Sequence, residues 1–193
     1  MRFIRKVCFG NCKMSLLEER IQYKPFKYPW AYDAWLQQQR VHWLPEEVPL
    51  ADDVKDWHRT LNNSERNLLT HIFRFFTQAD VEVNNCYMKH YSQVFKPTEV
   101  LMMLAAFSNI ETVHVSAYSH LLDTIGMPET EYSAFLKYQQ MKDKYDYMQE
   151  FGVSTNRDIA KTLAMFGAFT EGLQLFASFA ILLNFPRFNK MKG

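Results

Sequence analysis

Glycine is scarce in this chain, 6 of 193 residues, and no run of it makes a phosphate-cradling loop. No nucleophile elbow or paired Cys-x-x-Cys motif is present, which removes the commonest signatures of nucleotide hydrolysis, serine hydrolysis and structural zinc. An excess of one charge is also lacking, since Lys+Arg 22 stands against Asp+Glu 21; nothing in that balance recruits nucleic acid. Cysteine is limited to Cys8, Cys12 and Cys86, too few for a disulfide framework in a chain this size, so a reducing cytoplasm is the expected compartment. The Cys8-x-x-x-Cys12 pair has no second Cys or His pair nearby to complete a metal clip. No repeat, low-complexity tract or linker divides the chain, and its length suits one sizeable core. The basic segment Met1–Lys13 lacks the apolar core of a signal peptide, and Met14 opens what reads as the real start. We expect a flexible tail over 1–23 and one domain over 24–193.

What is abundant is aromatic: Phe 16, Tyr 10 and Trp 4, a composition that favours thick-cored helical packing. The organising stretch runs from Thr98 to Ile125. Its residues Val100, Leu104, Phe107, Glu111, His114, Tyr118, Leu122 and Ile125 recur every third or fourth position, one face of a helix directed into a core. A carboxylate on such a face is unfavourable by several kcal/mol unless something compensates it. Glu111 and His114, three apart, project side by side as ligands for a hard or borderline metal. Tyr118 lies one turn past His114, about 6 Å along the axis, beside such a metal rather than on it.

Upstream, Pro25 and Pro29 are expected to keep the chain extended to Trp30, with a short helix over Trp35–Arg40 and a loop at His42–Val48. Trp43 in that loop reads first as a packing anchor. Asn62-x-x-Glu65 is a capping box for a helix with the stripe Leu69, Phe73, Phe76, Asp80, Val83, Tyr87, again with an acid mid-stripe. Aspartate is a poor helix former, so Asp80 is hard to dismiss as filler; Glu82 is expected to be solvated. Thr98 should cap the central helix, and Gly126 with Pro128 should stop it. Glu129–Gln149 reads as a polar outer helix. The last helix should start after Ser154 or Asn156 and run to about Asn184, where Pro186 breaks it. It is apolar enough from Leu163 to Leu183 to raise a membrane span, but Glu171 and Gln174 near its centre argue against lipid. Ala160, Ala164, Gly167 and Ala168 on the Glu171 face should let another helix approach closely.

One buried acid has a bland explanation, such as pairing with Arg74 or Lys161. Three acids on three core stripes, one of them in Glu-x-x-His, favour a shared cation. The dinuclear sites of helical bundles take a carboxylate from each of two helices and Glu-x-x-His from each of two others. Asp80, Glu171 and Glu111/His114 supply three of those four contributions. The segments Phe75-Phe-Thr-Gln-Ala-Asp80, Asn109-Ile-Glu111-Thr-Val-His114-Val-Ser-Ala-Tyr118 and Phe169-Thr-Glu171-Gly-Leu resemble the small, radical-generating subunit of class I ribonucleotide reductase. The resemblance extends from about Lys24 to the C-terminus. It implies an all-α, ferritin-like di-metal carboxylate bundle with iron, or manganese, held by Asp80, Glu111, His114 and Glu171. It further implies a radical on Tyr118, electron transfer through Trp43 of Trp-x-Pro-Glu-Glu, and a large catalytic subunit as partner in making deoxyribonucleotides.

The second Glu-x-x-His of that family is missing: no other histidine here has Glu three residues before it. We therefore expect an incomplete bundle, lacking its final metal-binding helix and the docking tail, that is not active alone. A second chain supplying that helix is the expected partner, with a homodimer of the completed small subunit and no role for nucleic acid or membrane. A different ferritin-like di-iron oxygenase and an inert or regulatory fragment are the alternatives.

Overall fold

The computed structural model describes residues 15–193, so Cys8, Cys12 and most of the expected tail lie outside the described residues. Among the described residues every regular element is helical. The first helix, α1 (Pro29–Arg40), starts earlier than expected, because Pro29 sits in the first turn, where its missing N–H is no loss. Within the expected tail, Leu16 and Arg20 already touch the bundle. Leu16 accepts from the Lys96 N–H at 2.9 Å, and Arg20 lies 3.8 Å from the buried Glu99.

After a short helix α2 (Ala51–Lys55), α3 (Asn63–Asn85) opens on the expected capping box. Asn62 Oδ1 accepts from the Glu65 N–H and Glu65 Oε2 from the Asn62 N–H, both at 2.9 Å. The helix α4 (Thr98–Thr124) follows. Pro97, not Thr98, holds its cap position, and no side chain caps it. Its far end closes as the glycine predicts: Gly126 has φ +75°, and the Gly126 and Met127 N–H groups return to the Asp123 and Leu122 carbonyls.

α3 and α4 pack antiparallel, as their contacts show. Leu69 shares a cluster with Leu122 and Ile125, Phe76 stacks on Tyr118 at 5.0 Å, Asn84 accepts from the Ser108 hydroxyl at 2.6 Å, and Cys86 reaches Val100 and Leu104. As one number rises the other falls. The buried stripe on α3 is the expected one through Val83. Glu82 departs from expectation: it is buried and accepts from Gln78 and Gln149, because the next layer covers it. That layer is not one helix. A 3-10 stretch, Glu129–Lys137, precedes α5 (Gln139–Met148), and Arg74 on α3 ties to it through Glu131 and Tyr138.

The last long helix, α6, spans Asn156–Arg187. Its cap is Thr155, whose hydroxyl accepts from the Asp158 N–H, rather than Ser154 or Asn156. Pro186 falls in a final turn, Asn184–Arg187, after the regular run has ended at Leu182. By length and composition both α4 and α6 are apolar enough to cross a membrane, yet each carries a carboxylate of the cluster described below. Much of α6 faces outward: Phe176 is 72 % and Leu173 59 % exposed, and Ala160, Ala164, Gly167 and Ala168 are exposed as well.

Such an uncovered apolar face is a binding surface or a route to self-association. The 193-residue chain is therefore expected to self-associate in sedimentation velocity. Leu173→Lys combined with Phe176→Glu should shift it toward monomer while changing stability by no more than about 0.5 kcal/mol.

Candidate metal centre

The antiparallel register brings the mid-stripe acids of α3 and α4 face to face. Asp80, Glu111 and His114 each offer a ligand atom, and these atoms lie within 4.8 Å of one another. Asp80 is 1 % and Glu111 6 % exposed. His114 Nδ1 sits 3.2 Å from Glu111 Oε2, the short contact that i, i+3 spacing on one helix allows.

Glu171 approaches from α6 but is not within that close group. It still faces it, since its charge raises the pKa of Asp80 and the charge of Glu111 raises its own. It sits in a π-helical stretch, Ala164–Leu175, which sequence reasoning missed. The one local signal is the Gly167/Gly172 pair. A Cβ on Gly172 would lie 3.3 Å from the Gly167 carbonyl oxygen, a close approach made by the widened turn. Such segments recur at functional sites.

The electrostatics are those of three carboxyl groups gathered around a single imidazole. Burial, then the Glu111 and Glu171 charges, push Asp80 up to about 7, while His114 offsets a little. Glu171 is pushed up to about 7 by burial and then by Glu111. Burial alone would lower His114, but the Glu111 hydrogen bond and the surrounding carboxylates outweigh it and raise it. The bland pairings fail: Arg74 is engaged by Glu131, and among the described residues neither Asp80 nor Glu171 has an ion-pair partner. Asp80 Oδ2 is buried with no hydrogen-bond partner at all. A divalent cation of the hard or borderline kind fits this set, with an orphaned carboxylate oxygen, two further acids and one imidazole. A site for two metals would need more ligands than these four residues provide.

Tyr118 lies against Phe76, and burial, then the Asp80, Glu111 and Glu171 charges, raise its pKa. Its hydroxyl therefore stays protonated at neutral pH. The Trp43 ring stands 6.3 Å from the His114 ring. It is held there by the turn Pro45–Glu47, with Pro45 buried and the Leu44 N–H donating to Glu47 Oε1 at 3.0 Å. Trp43 and Tyr118 also share the lining of a cavity of about 250 Å³. The Ser108–Asn84 hydrogen bond was not anticipated. It fixes the register one turn from both Asp80 and Glu111, and its signal was polar residues at i+4 from one acid and i−3 from the other.

Comparisons with known proteins agree with this geometry. The family model described as "Ribonucleotide reductase, small chain" matches residues 20–193. A probable ribonucleoside-diphosphate reductase small subunit of Invertebrate iridescent virus 6 is 50% identical over 93% of this chain and 54% of its own length. Its counterpart in Invertebrate iridescent virus 3 is 41% identical over 93% of this chain and 52% of its own. The chain thus spans about half the length of the curated relatives it matches. The ribonucleotide reductase R2 subunit from Clostridium botulinum shares the fold, with TM-score 0.77 at 23% identity, covering 85% of this chain and 53% of the other.

The raised pKa values of Asp80, Glu171 and His114 give a pH dependence. Each group binds its proton more tightly folded than unfolded, so its stabilisation is complete below the unfolded value and lost as pH rises through the folded one. The metal-free chain should melt at lower temperature at pH 8 than at pH 5.5, by an amount on the order of a few kcal/mol in free energy. Asp80→Asn should flatten that profile in thermal denaturation, and a divalent metal should raise the pH 8 value most.

Proposed function

Because the chain belongs to the ribonucleotide reductase small-chain family, we propose that it forms part of a radical-generating small subunit with a dinuclear metal centre. The observation that carries this reading is the Asp80–Glu111–His114 cluster on two antiparallel helices, with Glu171 facing it. In this reading Asp80, Glu111, His114 and Glu171 hold iron, or manganese, which their oxygen and nitrogen donors also suit. The remaining ligands come from a Glu-x-x-His helix outside these 193 residues. The uncovered face of α6, with Ala160, Ala164 and Gly167 exposed, leaves room for it.

Metals held by these residues would supply the chemistry for a one-electron oxidation of Tyr118 by dioxygen. The chain's own residues prepare that step. Phe76 stacks on the phenol ring, which is partly buried in the same cluster. The raised pKa keeps the hydroxyl protonated at neutral pH. Trp43, with its ring 6.3 Å from that of His114, would be placed to pass an electron toward such a centre. The completed subunit pairs with a second copy of itself and with a large catalytic subunit, which reduces ribonucleoside diphosphates in the cytoplasm.

The test uses the 193-residue chain assembled with a polypeptide that supplies Glu-x-x-His, loaded with ferrous iron and exposed to oxygen. Tyr118→Phe should abolish the tyrosyl electron paramagnetic resonance signal with metal content unchanged; a wild-type radical spectrum overturns the assignment. Trp43→Phe should fold and load metal normally yet form the radical more slowly, by roughly tenfold or more, equivalent to about 1.4 kcal/mol in the barrier. Normal radical formation in a destabilised Trp43→Phe would make that residue a packing anchor.

A further inference from the structure

One lysine of α5 turns inward. Met141, Lys144, Tyr145 and Met148 recur at helical spacing, and they line a cavity of about 20 Å³ between α5 and α3. Arg74, Phe75 and Gln78 line it from α3. The Lys144 Nζ stands 3.9 Å from the centroid of the Phe75 ring, an ammonium held on an aromatic face. Met148 is buried, whereas Lys137 and Lys142 in the same outer layer are exposed.

No anion pairs with that charge. Among the described residues no ion pair includes Lys144. The other titratable groups that line the cavity are Arg74 and Tyr145, neither of them a carboxylate. Glu131 is engaged by Arg74, as is Tyr138, and the exposed Asp143 accepts from Gln139. Arg74 thus adds a second positive charge to the same lining. Burial lowers the pKa of Lys144 to about 8. At pH 7.5 about a quarter of such amines are uncharged, against about one in a thousand for a lysine titrating near 10.5. A lysine desolvated among apolar groups, or set beside another cation, is an activated amine nucleophile.

We propose that Lys144 is a modification site, at which the chain takes a short acyl group from an acyl phosphate. The free Nζ lone pair attacks the acyl carbonyl carbon, so that an N–C bond forms and the C–O bond to phosphate breaks. Phosphate leaves with that electron pair and the amine proton passes to solvent, with no oxidant or reductant required. The donor is anionic, so the cations of Arg74, Lys137 and Lys142 favour its approach, and the small cavity limits the group to a short one. The product is a neutral amide, which ends both the ammonium contact with Phe75 and the repulsion by Arg74. Phe75 and Asp80 share α3, so the modification acts on the layer packed behind the acid cluster, whatever that cluster holds.

The experiment treats the full 193-residue chain with acetyl phosphate and follows each lysine by peptide mass spectrometry. At neutral pH Lys144 should acetylate about tenfold faster than Lys142 or more, the excess of free amine being offset in part by the lower nucleophilicity of a weaker base. Its rate should climb with pH through about 8 and then level, as the free amine does. In concentrated urea the two lysines should react alike. Lys144→Arg should lose the adduct at that position, and an adduct retained there overturns the assignment. Met141→Glu places a carboxylate on the lining one turn from Lys144 and should bring its rate down to that of Lys142; an undiminished rate in the folded variant overturns the proposal. Circular dichroism checks the fold, and if Met141→Glu does not fold, the urea comparison on the wild-type chain decides. Equal rates for Lys144 and Lys142 in the folded chain, or a preference that survives urea, overturn it as well.

Discussion

The structure depends on one unfavourable juxtaposition: the carboxyl groups of Asp80 and Glu111 are buried close together, with only the His114 imidazole beside them. Each lies on a stripe of apolar residues, so the hydrophobic burial that drives α3 against α4 also drives the acids together. Leu69, Phe76 and Val83 on one helix and Val100, Leu104 and Leu122 on the other are all buried in this register. The Ser108–Asn84 hydrogen bond locks that register from within. Asp80, and Glu171 from α6, hold their protons more tightly as a result of burial and of the neighbouring carboxylates.

The surrounding elements serve this pair. The turn at Pro45–Glu47 places Trp43 against His114, and the π-helical stretch in α6 aims Glu171 at the cluster. The same helix that carries Glu171 leaves Gly172, Leu173 and Phe176 exposed. Under the proposed reading, exposed Leu173 and Phe176 and the short donor set are two aspects of one feature, a bundle position for a further helix. Binding of metal and covering of that face are expected to be coupled, because neither is favourable while the other is missing.

Much of this was legible in the sequence because helical periodicity is a strong signal. Asp80, Glu111, His114 and Glu171 were recognisable as polar residues in apolar stripes, and the Asn62–Glu65 box and Gly126 marked helix ends by backbone chemistry alone. What escaped was set by tertiary context. Glu82 looks like a solvated acid from its place on α3, and only the Gln149 contact from another layer buries it. Pro29 reads as a breaker until the chain after it turns helical, and then it is a favourable first residue. Glu129–Gln149 has the polarity of one outer helix, but splits into a 3-10 stretch and α5. The π-helical turn at Glu171 has no periodic signature, which is why the sequence placed that residue on the right face without giving its distance from the others.

The central claim is that these 193 residues hold part of a dinuclear centre and that a Glu-x-x-His helix completes it. Isothermal titration of anaerobic ferrous iron into the chain, with and without a polypeptide carrying that motif, tests it most directly. The account predicts weak binding of at most one iron by the chain alone, rising to two tightly bound irons per assembly, with Asp80→Ala abolishing the gain. Two tightly bound irons on the isolated chain, or a stoichiometry that the added helix leaves unchanged, would contradict it.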